Sequence, residues 1–313
     1  MKIAAFTVGD INVASSRLRS YYLFSLGEEF GLKILRPTRL IEALECDVIH
    51  IQKILSLKII IAIILYRLHR KLVIFDIDDQ PGKKIKSFLG CLLIMYLASV
   101  ITVDSEYRKI FWDKYLFYKK IIVINDVADT NDMQPTFKIR KYNFDKINFI
   151  WIGHKSNIAS IEKFIELLKI KKNFQLIICT NDSEIPNLID KYPHINFLGW
   201  NKEIMFDNSI EAQFMILNHN FDHSSNLKSD NKMVLAVLAG FIPIVSRTPS
   251  YSKLASELDA NYLVFDSFYE VFHLSEIISQ GKIELFNKDN LNFIIANYSR
   301  KAVLSKFISQ ILI

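Results

Sequence analysis

Only three cysteines occur in the 313 residues, Cys46, Cys91 and Cys179, far apart and without a CxxC pair. An odd, scattered set excludes a disulfide framework and a zinc knuckle and fits a reducing compartment. Glycine and proline are scarce as well, at nine and seven, which leaves no room for a low-complexity linker. No internal repeat is present, and no GxSxG, P-loop or HExxH motif. A signal peptide is not expected, because Met1–Phe6 turns polar at Gly9-Asp10 before an apolar core can form. Long membrane-spanning runs are missing too. Ile59–Tyr66 is too short to cross a bilayer. Phe88–Val103 divides into a helical part, Phe88–Ala98, and a β-branched part, Val100–Val103, that ends at Asp104. Both stretches read as buried core.

What is present is a packed globular composition, half apolar and 23% charged, in a chain long enough for two domains. Apolar β-type runs alternate with helical patterns. The runs are Lys2–Val8, Leu32–Leu35, Asp47–Ile51, Leu72–Phe75, Val100–Val103 and Ile121–Ile124. Helices are expected over Ser16–Phe30, Ile54–His69, Lys83–Ala98 and Glu106–Lys114. The stretch Asp126–Lys146 is polar and without period, and the alternation then restarts at Ile147 and runs to Phe265. Apolar residues at helical spacing continue over Asp289–Ile313. Strands that are apolar nearly throughout, separated by helices, predict parallel sheets covered on both faces. The expected fold is therefore α/β: two Rossmann-like domains, 1–140 and 141–313, facing across a cleft, with a long C-terminal helix.

Charge is unevenly spread. Residues 1–145 carry 22 Lys and Arg against 16 Asp and Glu, while residues 146–313 carry 17 of each. The whole excess of +6 lies in the first part, where it suits a phosphorylated ligand or an anionic lipid surface. Nucleic acid is not an expected partner, since no interleaved aromatic and basic motif accompanies the charge.

Candidate chemistry sits after strands. Gly9 and Asp10 follow the first, and Ser16, Arg17 and Arg19 open the next helix, where cations oppose the helix dipole unless an anion is near. Gly153, His154, Lys155 and Ser156 follow the strand Ile147–Ile152 and gather amides, a cation and hydroxyl donors. Lys228, Ser229, Asn231 and Lys232 stand at the entry to an apolar helix that stops at Gly240. Asp76, Asp78 and Asp79 end another strand, where they could hold Mg²⁺, cap the next segment or contact acceptor hydroxyls. His219 and His223 are not read as a zinc pair, and His50 reads as core by default.

The Lys228–Ser246 segment, a polar loop leading to a helix and then Gly240-Phe241-Ile242-Pro243, resembles the donor-binding helix of GT-B glycosyltransferases. Within that fold it resembles, as a divergent member, the retaining group 1, family 4-like enzymes of bacterial surface-polysaccharide synthesis. Gly9 with Ser16–Arg19, the strand ends Phe75–Asp79, Val103–Tyr107 and Val123–Asp129, and Ile152-Gly153-His154 with Phe197–Trp200 fall in the family's order along most of the chain. One departure is plain. The two positions where many retaining members carry glutamates hold Leu227 and Leu235, which leaves Asn231 and Lys232 to take over donor contacts.

The resemblance implies a metal-independent glycosyltransferase, hexosyl or pentosyl, without cofactor. It would take an activated sugar donor, nucleotide-linked or otherwise phosphate-linked, and a glycan or lipid-linked acceptor. The expected place of work is the cytoplasm, peripheral to the inner face of the membrane. Arg17, Lys228 and Lys232 are expected to stabilise the leaving phosphate, Gly153, His154 and Ser229 to position it, and Asp10 or Asp78 to serve as base. A nucleotide-sugar epimerase of the same fold and a non-catalytic sugar-phosphate-binding scaffold are the alternatives.

Overall fold

A computed structural model of the chain describes residues 1–79, 85–130, 135–138, 140, 145–201, 203–219, 225–281 and 286–312. Lys83, most of the polar stretch after Thr130, and His223 lie outside the described residues. The chain packs as two compact units, one of Met1–Pro135, Asn226–Asn231 and Ile294–Ile313, the other of Thr136–Ser225 and Lys232–Phe293.

In the first unit, β1 (Lys2–Phe6), β2 (Lys33–Leu35), β3 (Val48–Gln52), β4 (Leu72–Ile77), β5 (Val100–Val103) and β6 (Ile121–Val123) form one parallel sheet. Its order is β2-β1-β3-β4-β5-β6. The central strands β3, β4 and β5 are buried along nearly their whole length, as two-sided cover requires. One face carries α1 (Leu57–Leu68), α2 (Ile85–Leu97) and α3 (Glu106–Asp113) over Ile49, Phe75 and Ile101. The other packs Leu18, Phe24, Val303, Leu304, Phe307 and Ile311 against Ile3 and Ile74. That second cluster explains why residues 294–313 fold with the first unit.

The second unit repeats the plan. β7 (Ile147–Ile152), β8 (Phe174–Thr180), β9 (Asn196–Gly199), β10 (Phe214–Leu217), β11 (Ile242–Ser246) and β12 (Val264–Phe265) run in the order β12-β11-β10-β7-β8-β9. The helices are α4 (Glu162–Leu168), α5 (Ile185–Lys191), α6 (Asn231–Leu238), α7 (Pro249–Glu257) and α8 (Phe268–Ser279). In each sheet the chain first builds outward on one side and then crosses to the other. The crossover lies between β1 and β3 in one and between β7 and β10 in the other.

Three expectations need correction. The helix expected over Ser16–Phe30 is instead a short turn at Ala14–Ser16, a wide turn at Arg17–Tyr21 and a tight one at Gly27–Phe30. Buried ion pairs of Arg17 and Arg19 anchor the middle turn, where the Tyr22 backbone amide donates to the Arg17 carbonyl at 2.7 Å. The C-terminal helix is present but divided into α9 (Lys288–Tyr298) and α10 (Arg300–Phe307), because the Ser299 hydroxyl caps the second by accepting from the Ala302 amide. Finally, α1 and α2 are core on one side only. Ile63 and Met95 are fully buried, whereas Ile61 and Leu89 are 45% and 57% exposed.

Gly240 ends α6 with φ +75°, and a Cβ there would meet the Lys138 carbonyl oxygen. Gly240→Ala is therefore expected to lower stability by about 1–3 kcal/mol in urea titration, from left-handed strain and the displaced carbonyl together.

Candidate functional site

The carboxyl ends of the first sheet carry a dense set of opposite charges. Arg19 lies wholly inside it, bidentate to Asp76 at 2.8 and 2.5 Å and bound to Asp126 at 2.9 Å. Thr102 donates to the same Asp76 carboxylate. Burial pushes the Asp76 carboxyl up, and Arg19 more than reverses the push, holding it below the usual carboxylate range. Arg17, 2% exposed, is bidentate to Asp129 and donates to the carbonyls of Ile11 and Asn12. It therefore braces the Gly9–Val13 loop. Ser16, also buried, links the Gly9 amide to Gln52 at the end of β3.

Of the two expected bases, Asp10 is exposed and its carboxylate accepts from the Asn12 amide and side chain. Asp78 is nearly buried at 3.0 Å from Lys53, and burial outweighs Lys53 so that its carboxyl lies above the usual range. Lys53 also reaches Asp79 at 2.7 Å. Lys228 stands 3.4 Å from Asp79, and Ser229 donates to Asp126 at 2.9 Å. The loop before α6 is thereby tied to the β4 and β6 ends. The residue in place of the family's first glutamate, Leu227, is buried, and its carbonyl accepts from Arg108 at 2.7 Å. Arg108 pairs with Asp104, whose carboxyl burial lifts to about 7 against the pull of that arginine.

In the second unit the crossover between β7 and β10 gathers the other candidates. The Lys232 ammonium, from the first turn of α6, touches the Ile152 carbonyl at 3.3 Å. Gly153, His154 and Lys155 follow at once. The Gly153 amide donates to the Cys179 carbonyl, and a Cβ on Gly153 would run into the Trp151 ring. His154 is spent on a local cap, its Nδ1 accepting from the Ser156 amide. Asn231, the last residue of the first unit's 226–231 segment, presents a buried side-chain oxygen without a hydrogen-bond partner among the described residues.

The ion pairs of Arg19 and Arg108 went unread in the sequence, though their carboxylates at strand ends were in view. His50 has no chemistry in reach. It is fully buried between Phe24 and Phe307, ring centroids 5.2 and 6.0 Å away, and neither ring nitrogen has a partner among the described residues. His219 stacks on Tyr251 and meets its hydroxyl at 3.1 Å.

No family model matches the sequence, and no curated protein matches it. Solved structures do match in fold. HepE of Anabaena, in complex with UDP and glucose, is 11% identical, with 99% of this chain and 98% of that one covered and a TM-score of 0.67. A glycosyltransferase from Rickettsia africae is 11% identical over 98% and 97% of the two chains, TM-score 0.64. The pneumococcal O-GlcNAc transferase GtfA, with UDP and GlcNAc, is 10% identical over 85% of this chain and 56% of that one, TM-score 0.57. Two six-stranded parallel sheets with flanking helices and a helical C-terminus thus give this chain the fold of the GT-B glycosyltransferases.

Proposed function

We propose that the chain moves a sugar from an activated, phosphate-linked donor onto a glycan or lipid-linked acceptor, in the making of a surface polysaccharide. The observation that carries this is the placement of Lys232 against the end of β7, at the crossover of the second sheet. Ligands of doubly wound sheets settle at such crossovers, outside the carboxyl ends of the strands. There a diphosphate meets the Lys232 ammonium, the start of α6 and the Lys155 side chain. The Asn231 oxygen, unpartnered among the described residues, suits a hydroxyl of the donor. Structures of the same fold solved with UDP or UDP-glucose support a nucleoside diphosphate as leaving group.

The chemistry asked of these residues is electrostatic. As the bond to the phosphate breaks, negative charge grows on the leaving oxygen, and a fixed ammonium stabilises that state more than the ground state. On the acceptor side, Asp78 is the better base of the two candidates, because its carboxyl is desolvated and lifted while Asp10 is committed to Asn12. Lys228 belongs to the first unit, where its ammonium lies 3.4 Å from Asp79. Arg17 acts by bracing the glycine loop, since its guanidinium already holds Asp129.

Lys232→Ala is expected to lower kcat/KM for UDP-sugar turnover by about tenfold or more, the size of one charge-assisted contact. Unchanged kinetics in Lys232→Ala and Lys228→Ala, with melting temperatures intact, remove the site from this loop.

A further inference from the structure

Surface helices of globular proteins turn a polar face outward. The α1 and α2 helices do the opposite. On α1 the exposed apolar residues are Leu57, Ile61, Ile64 and Leu68, spaced as one outward stripe. On α2 they are Ile85, Leu89, Leu93 and Tyr96, again one stripe. The two helices lie side by side over the same core. Phe117 and Tyr118 extend the patch, exposed by 85% and 55%, with Tyr118 edge-on to Tyr96 at 5.9 Å. Exposed apolar faces of this extent mark a site of interaction.

The charges around the patch say with what. Residues 54–75 and 85–103 hold five cations, Lys58, Arg67, Arg70, Lys71 and Lys86, and no Asp or Glu. Between the stripes an open hollow of about 450 Å³ is lined by Ile64, Leu68, Tyr96 and Tyr118 together with Arg67 and Lys119. Burial and then Arg67 push the Lys119 ammonium down from its usual range. Self-association through a two-fold axis sets this patch against itself, cation against cation. An anionic lipid leaflet instead offers acyl chains to the leucines and phosphates to Arg67 and Lys119.

We propose that α1, α2 and the 117–118 turn form a membrane-docking face, lying on an anionic bilayer with the hollow taking a lipid phosphate at Arg67 and Lys119 and acyl carbons against its apolar lining. None of these residues touches the donor site proposed above, so the two ideas fail separately. Among the described residues no helix is long and apolar enough to cross a membrane, and the stripes need only enter its surface layer.

The test is co-sedimentation of the full chain with phosphatidylcholine vesicles, with and without phosphatidylglycerol, beside light scattering without lipid. The chain is expected to pellet with the anionic vesicles. The triple variant Leu57→Glu, Leu68→Glu, Leu89→Glu should lose about a hundredfold or more in apparent affinity, since each change removes an apolar anchor and adds repulsion. Arg67→Glu with Lys86→Glu should lose about tenfold on anionic vesicles and little on neutral ones. All of these side chains are exposed, so melting temperatures should stay within about a degree or two of the parent. Failure of the parent to pellet with anionic vesicles, or pelleting of the triple variant like the parent, overturns the proposal. So does a dimer in light scattering that the triple variant dissolves while vesicles bind neither protein.

Discussion

Arg19→Ala is expected to destabilise the first unit by about 3–5 kcal/mol, enough to consume much of the stability of an ordinary domain. Arg19 and Asp76 are almost fully buried and paired through two hydrogen bonds, with Asp126 on the remaining nitrogen. Truncating the arginine leaves Asp76 ionised, inside the protein and, among the described residues, answered by the Thr102 hydroxyl alone. A buried pair is a modest stabiliser when intact; the large cost comes from orphaning one member. The measurement is urea unfolding followed by circular dichroism. Lysine at the position should recover little, because it cannot bridge two carboxylates through a planar fork. A loss well under about 1 kcal/mol would mean that water or rearrangement satisfies Asp76, and that the charge set is not the frame of this strand edge.

The second large effect is set by pH. His50 is buried without a partner among the described residues, and burial, beside Arg19 and Arg36, depresses its folded value to about 4 from an ordinary 6.5. A depressed folded value means that the native state binds fewer protons than the unfolded chain. The stability held above pH 6.5 should therefore fall as pH drops toward 4 and level off below it. The difference of about 2.5 units corresponds to about 3 kcal/mol. Replacing His50 by Leu should flatten the slope between those limits while leaving a good share of stability at neutral pH, since the ring sits between Phe24 and Phe307 in the core. An unchanged slope in the variant would place the acid sensitivity elsewhere.

The strands were legible because a sheet covered on both faces needs apolar residues at nearly every position, and β5, β7 and β10 have them. The wide turn at Arg17–Tyr21 was not. Its cause is tertiary: Arg19 meets partners 57 and 107 positions away, and no local period records that. The same limit explains α1 and α2. A helix apolar all round reads as buried, and only the packing of the sheet shows which side of it the protein leaves uncovered. At the candidate site, Lys232 and Gly153 were visible as residues after a strand and before a helix. The carboxylates that occupy Arg17, Lys228 and Ser229 were visible only as separate strand ends.

The core of the first unit joins Ile3 and Ile74 to Val303, Leu304 and Phe307, and this has a consequence for synthesis. The last strand of that sheet ends at Val123, whereas the segment that covers its second face begins at Ile294. A ribosome adding about 5–20 residues per second needs on the order of ten to thirty seconds to make the chain between them. During that interval the strands of the second unit emerge in full, while Leu18, Phe24 and Ile122 still lack their cover. The unit begun first is thus completed last. A nascent chain halted before residue 294 should carry a finished second unit and a first unit that binds chaperones or proteases at that open face.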